Sequence, residues 1–431
     1  MLNNIASVFR LPTLRNKILF TLGALLLYRL VTHIPVPGAD TQAMFQLFNS
    51  NQILGAFSLL TGGGLRNFSI ILMGLSPYIN ASIIMQLMAV ISPRLEALSK
   101  EGEQGRQTIN RYTRWLTYPL ALLQSYGFIL LLNSSSPTPI IADTSFQGLL
   151  PVMLVVSAGT IFLMWLGEIM TEKGIGNGIS LLIFAGIIAS MPEVLGQVLG
   201  LAQVNPATWI PFALVVVITL VITYIIVLVT EAQRNIPINY AGREARGADS
   251  IAHIPIRVNQ AGMIPIIFAV SLMTFPVILA RFLVNAKTPW LADFANQMIN
   301  QFNSGGTTYM IIYFFIVLAF TFFYVSIIFN PEQVAENIQR RGGFITGMRP
   351  GRQTAAYLAM VSNRITLYGG IFIGFVAIFP LLIGRLFNIL AIGSVPLLIG
   401  GAGLLIVVGV VLEVMRQIKI QMVMQDYEKL Y

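Results

Sequence analysis

The residues with most capacity for chemistry are few. Three consecutive glycines, Gly62, Gly63 and Gly64, stand close to Arg66 in "TGGGLRNFS", and glycine-rich backbone can cradle phosphate oxygens. A phosphate loop requires G-x-x-x-x-G-K-[ST] after a strand. No Lys-Ser or Lys-Thr follows these glycines and no βαβ pattern occurs in the chain. The two histidines, His33 and His253, have few ionisable neighbours and read as polar loop groups near a membrane interface, and there is no cysteine. Disulfides and thiolate metal sites are therefore excluded. Glu168, Glu172 and Glu413 lie at the ends of apolar runs, and no G-x-S-x-G, H-E-x-x-H or paired aspartate is present. No catalytic residue, cofactor or metal is expected, nor any nucleotide binding by this chain. It reads as no enzyme.

The elements that carry these residues are apolar. Of 431 residues 56% are hydrophobic and only 10% charged, where a soluble domain has about 25% charged. Runs long enough to cross about 30 Å of hydrocarbon fall at 18–34, 70–91, 115–132, 149–167, 179–201, 209–229, 262–283, 309–329, 366–382 and 395–412. The fifth is the weakest, interrupted by Pro192 and Glu193. Arg10, Arg15 and Lys17 precede the first run with no small-residue cleavage site after it, so no cleavable signal peptide is expected. Ten spans place both termini on one side. With that division, 21 of the 26 Lys and Arg fall on the side of the termini; Arg66, Arg281, Lys287 and Arg385 fall opposite, and Arg29 lies within the first span. The positive-inside rule makes the termini cytoplasmic. The net charge of +9 follows mostly from this topology.

Two cytoplasmic connections, 230–258 and 330–364, are longer than a turn needs and rich in arginine. They read either as orientation charges facing anionic lipid or as docking surfaces for a large partner.

The glycine triplet lies on the outer side, flanked by apolar residues in a segment too short to span. It reads either as an interfacial loop or as a re-entrant piece within a cavity, since non-helical backbone at depth requires such shelter. Just after it comes "GLSPYI", and span seven holds "GMIPII". Both read G-x-x-P-x-I, five spans apart, which fits two inverted repeats with breaks in corresponding places. Proline removes a donor and bends a helix, so spans two and seven are the expected moving elements. Ionisable groups are missing from the centres of most spans, which argues against an ion-coupled transporter. The chain reads as a conduit or scaffold driven by a partner.

Together, "LTGGGLRNFSI", "GLSPYINASIIMQL", "KEGEQGR", "WLGEIMTEKGIGNGISLLIFAGI", "VNQAGMIPIIF" and "GMRPGRQT" resemble the SecY/Sec61-alpha family, channel-forming subunits of the Sec protein translocase, from about Pro12 to Tyr427. The resemblance implies an all-α polytopic membrane protein, a clamshell of ten helices in two inverted halves (1–200 and 201–431) around a central pore. It implies a plug at 57–69, comprising Phe57, Leu59, Leu60, Thr61, Gly62, Gly63, Gly64, Leu65 and Arg66. A constriction ring falls on Leu75, Ile79, Ile179, Ile183, Ile267 and Ile406. A lateral gate between spans two and seven takes in Pro77, Gln86, Gln124, Asn259 and Pro265. Docking falls on Arg349 first, with Arg243, Arg246, Arg340 and Arg352; the tip "YAGREARGADS" is shorter and less basic than in many relatives. The implied partners are the small membrane subunits SecE and SecG, the SecA motor ATPase, the ribosome, signal peptides with the nascent polypeptide, and anionic lipids. The implied site of action is the bacterial cytoplasmic membrane. The alternative reading is a secondary transporter of a small solute.

Uncharged amides can bond across membrane helices. Replacing a gate amide, as in Gln86→Leu, is expected to shift the open–closed balance by about 0.5–2 kcal/mol. Unchanged signal-sequence selectivity in a secretion assay would count against it.

Overall fold

The protein was analysed as a computed structural model, which describes residues 12–38, 40, 44, 68–135, 140–141, 143, 145–204, 209–240, 252–284, 288–302, 306–389 and 401–428. Helices α1 (Pro12–Val31), α2 (Ser76–Ile91), α3 (Pro93–Lys100), α4 (Glu103–Ser135), α5 (Phe146–Lys173), α6 (Gly178–Val204) and α7 (Trp209–Glu231) come first. Strands β1 (Gln233–Tyr240) and β2 (Ala252–Arg257) follow, then α8 (Ile264–Leu283), α9 (Pro289–Gln301), α10 (Thr307–Ile328), α11 (Pro331–Arg340), β3 (Gly343–Phe344), α12 (Arg352–Ile389) and α13 (Gly401–Glu428).

Each of the ten apolar runs falls within one of these helices or overlaps it. Six helical stretches are long and apolar enough to cross a membrane: Gln147–Lys173, Gly178–Gly200, Trp209–Glu231, Thr307–Arg340, Arg352–Phe387 and Gly401–Met424. The pair α2 and α3, bent by 106°, would make a seventh. Length and composition thus establish six spans among the described residues, and ten remains a reading of the runs. Pro192 sits inside α6 without ending it.

The chain divides into two compact units. One comprises Met1–Trp209, Ser271–Gly306 and Val395–Tyr431; the other comprises Ile210–Val270 and Thr307–Ser394.

In the first unit, the segments either side of 37–67 are tied together. Val36 N–H donates to the Phe68 carbonyl at 2.8 Å and Ile70 N–H to the Ile34 carbonyl at 3.0 Å, with Pro35 and Ser69 bridged. Phe68, at φ +45°, is fully buried with Val36, Leu72, Ile129 and Leu149. A Cβ on Gly159 of α5 would collide with the Ile70 carbonyl, so glycine there lets this turn lie against the helix.

The second unit holds the two long connections, and they are not separate loops. The sheet order is β2-β1-β3, antiparallel throughout, with Asn239 opposite Phe344 and Tyr240 opposite Gly343. Ile236, Ile238 and Ile256 from the hairpin share one core with Ala335, Ile338, Ile345 and Leu358. Val258 N–H donates to the Ala232 carbonyl, which sets the phase of the ladder. Pro237, opposite His253, and Pro255, opposite Asn235, then fall on the alternate pairs that carry no hydrogen bond. Pro255 therefore removes a donor from the free edge, where proline blunts strand addition.

Helices α10 and α12 pack most extensively in this unit. Close approach is set by Gly370 and Gly374, one turn apart: a Cβ on Gly370 would lie 2.8 Å from Leu318 Cδ1, and one on Gly374 2.8 Å from Phe314 Cδ2. This is the small-xxx-small packing of membrane helices. Gly374→Val is expected to lower stability by about 1–3 kcal/mol through overpacking, read as a lower Tm in detergent; an unchanged Tm would show that the helices separate freely there.

Candidate conduction and docking sites

The two G-x-x-P stretches have the same local geometry. Gly74 has φ +55° and Gly262 φ +65°, a left-handed conformation that glycine adopts at little cost. In each, the helix starts two residues later, at Ser76 and Ile264, so that Pro77 and Pro265 occupy the second helical position. Proline is well suited to a first turn, whose N–H groups have no intrahelical acceptor. This corrects the expectation of bent spans: the prolines begin α2 and α8 rather than kink them.

The residues of the expected ring stand on four helices in two units. Leu75 caps α2 and is buried, with Ile79 one turn on and half-buried. Ile183 is buried in α6 and Ile179 half-buried, packed on Gly167, where a Cβ would lie 3.0 Å from Ile179 Cγ1. Ile406 is fully buried in α13, which packs against α6. Ile267, half-buried in α8, belongs to the other unit.

The amides expected at the gate differ. Gln86 Nε2 donates to Ser82 Oγ of its own helix at 3.0 Å. Gln124 is wholly buried in α4, and neither its Nε2 nor its Oε1 has a partner among the described residues. Asn259, just before α8, is buried with Oδ1 unpaired among them. Next to it, Gln260 Oε1 accepts from Ser362 Oγ of α12 at 3.3 Å.

Charged groups gather at one end of the first unit, where Arg114 Nε of α4 donates to Glu168 Oε1 of α5 at 2.8 Å. Nothing in the sequence pattern singled out this pair, since its members are 54 residues apart. Among the described residues no cluster of three or more metal-ligating side chains occurs. His33 Nδ1 lies 2.8 Å from the Arg29 carbonyl, a local contact at the end of α1, and His253 is exposed on β2. Outside the membrane, Asp143 is held below the usual carboxylate range by hydrogen bonds from the Ser145 hydroxyl and N–H.

Of the arginines expected to dock a partner, Arg340 is exposed and paired with Glu336 at 2.7 Å. Arg349 and Arg352 are exposed at the start of α12. The Arg349 backbone is held on both sides: its N–H donates to Gln353 Oε1 at 3.3 Å, and its carbonyl accepts from Thr354 Oγ1 at 3.1 Å. The side chain is left free to reach outward. Arg243 and Arg246, like the expected plug residues Phe57, Leu59, Leu60, Thr61, Gly62, Gly63, Gly64, Leu65 and Arg66, lie outside the described residues.

Helices long and apolar enough to span a membrane, joined to a compact sheet-bearing subdomain, define the chain as a polytopic membrane protein. The chain belongs to the SecY family, which it matches over residues 69–415. It is 40% identical to the protein translocase subunit SecY of Streptomyces coelicolor over 99% of both chains. It is 37% identical to that of Escherichia coli K12, over 97% of this chain and 94% of the other. Among solved structures it resembles one described as a protein conducting channel, with TM-score 0.66 and 19% identity over 94% of this chain and 91% of that one. Sec61 from a canine ribosome-channel complex gives TM-score 0.60 at the same identity and coverage. Its function is that of a protein-conducting channel, not of an enzyme.

An unpaired amide buried in a helix bundle is costly. Gln124→Leu is expected to raise stability by about 1–3 kcal/mol, seen as a higher Tm in detergent. A lower Tm would mean that Gln124 is paired in the working protein.

Proposed function

We propose that this chain forms a passive, gated pore in the bacterial cytoplasmic membrane, with both termini in the cytoplasm. Unfolded secretory polypeptides cross through it and apolar segments leave it sideways into lipid. The observation that carries this reading is the likeness to translocase subunits along 99% of the chain; the matched helix starts at Gly74 and Gly262 support it.

In this reading the two halves, 1–200 and 201–431, are inverted repeats. Leu75, Ile79, Ile179, Ile183, Ile267 and Ile406 form an aliphatic constriction that excludes water and ions by dewetting and parts around a polypeptide. Residues 57–69 plug it from outside. The gate between spans two and seven releases signal segments, which gain about 25 cal/mol per Å² of apolar surface buried. The sheet subdomain presents Arg349, with Arg340, Arg352, Arg243 and Arg246, to the ribosome or the SecA motor. One solved relative is described as a ribosome-channel complex. SecE, SecG and anionic lipids complete the assembly, and energy comes from the cytoplasmic partner.

The test is ion conductance of the purified chain with its small partner subunits in a planar bilayer, intact and lacking residues 57–67. A silent intact channel and a deletion that flickers open are expected. Equal silence of both would remove the plug from the reading. Uptake of a small solute by vesicles containing this chain alone would replace the channel with a transporter.

A further inference from the structure

The turn between α5 and α6, "KGIGNGIS", is tied to the first and last helices of the chain. Ile175 N–H donates to Thr21 Oγ1 of α1 at 3.2 Å. Gly176 N–H donates to Gln417 Oε1 of α13 at 2.6 Å, across 241 residues of sequence. Within the hairpin, Gly178 N–H donates to Thr171 Oγ1 at 2.9 Å. Asn177 Oδ1 accepts from Ile179 N–H at 3.0 Å and from Ser180 N–H at 3.3 Å. Five backbone donors that the helices cannot satisfy are thus taken by four side chains.

Both threonine hydroxyls act twice. Thr21 Oγ1 also donates to the Lys17 carbonyl at 2.9 Å, and Thr171 Oγ1 to the Gly167 carbonyl at 2.8 Å. Each hydroxyl therefore fastens the turn to helix backbone rather than to a loose side chain. The glycines permit the fit: Gly176 has φ +84°, and a Cβ on Gly174 would lie 2.7 Å from Thr21 Oγ1. Around these bonds Leu14, Ile18, Ile175, Val414, Ile418 and Met422 form one apolar cluster.

We propose that Thr21 and Gln417 are positioning residues for the conduction pathway. From opposite ends of the chain they fix the depth and rotation of α6, and hence the places of Ile179, the second residue of that helix, and Ile183, one turn on. This rests on the reading of those two isoleucines as part of the constriction.

Because the chain has no cysteine, Ile179→Cys introduces a sole thiol, and its rate of labelling by a water-soluble maleimide reports where that side chain sits. In the assembled complex, adding Gln417→Leu or Thr21→Val is expected to raise the rate about five- to tenfold, the equilibrium weight of one hydrogen bond. Gln417→Glu and Thr21→Ser keep the acceptor and should keep the original rate, whereas a merely space-filling role would be kept by the isosteric Thr21→Val and not by Thr21→Ser. A control thiol at Ser326→Cys, on the other unit, should not respond. Unchanged labelling in both disrupting variants overturns the proposal, as does equal acceleration of the control or failure of rescue. If labelling follows the proposal but bilayer conductance is the same in Ile179→Ala as in the unaltered chain, the positioning stands and the ring assignment falls.

Discussion

Lipid offers no hydrogen bonds, so every backbone N–H and C=O placed in or beside it must find a partner within the protein. The rest of this structure is arranged around that demand. Long helices meet it by themselves. Wherever a helix stops, the exposed donors and acceptors have to be met otherwise, and those stopping places are where the named side chains collect. At Gly74 and Gly262 a proline in the first turn removes a donor that would have had no acceptor. At the α5–α6 turn, four polar side chains supply acceptors instead. At Pro35–Ser69, two strands of irregular backbone pair briefly with each other.

Backbone pairing also explains the shape of the second unit's sheet-bearing part. Two connections of that length would each leave a run of unpaired backbone. Pairing β1 with both β2 and β3 pairs much of it, and three isoleucines of the hairpin close against α11 and α12. The free edge carries Pro255, so the sheet ends there without inviting another strand.

The membrane character of the fold was legible because it depends on run length and charge counts, which the sequence states directly. The breaks at Gly74 and Gly262 were legible as breaks, because glycine and proline interrupt helices by themselves. That they begin helices was not, since the same dipeptide chemistry serves a kink and a start. The sheet was hidden: "QRNIPINY" alternates Ile236, Ile238 and Tyr240 but holds a proline in mid-strand, and its strand character comes from partners far along the chain. The bonds to Thr21 and Gln417 were hidden for the same reason, because a glutamine 241 residues from the N–H it accepts leaves no local pattern. Gln124 was legible as a polar residue in a span, but its lack of a partner is a property of packing.

Helix α12 has a mechanical consequence. Its 38 residues span about 57 Å. They run from Ala355 and Leu358, inside the core beneath the sheet, past Pro380 within the helix, to Arg385, whose guanidinium donates to Thr307 Oγ1 at the start of α10. The interlocked Gly370 and Gly374 lie within this same helix. A load on the sheet-side end of α12 is therefore delivered along a strut, as leverage on α10, rather than absorbed as slack in a linker.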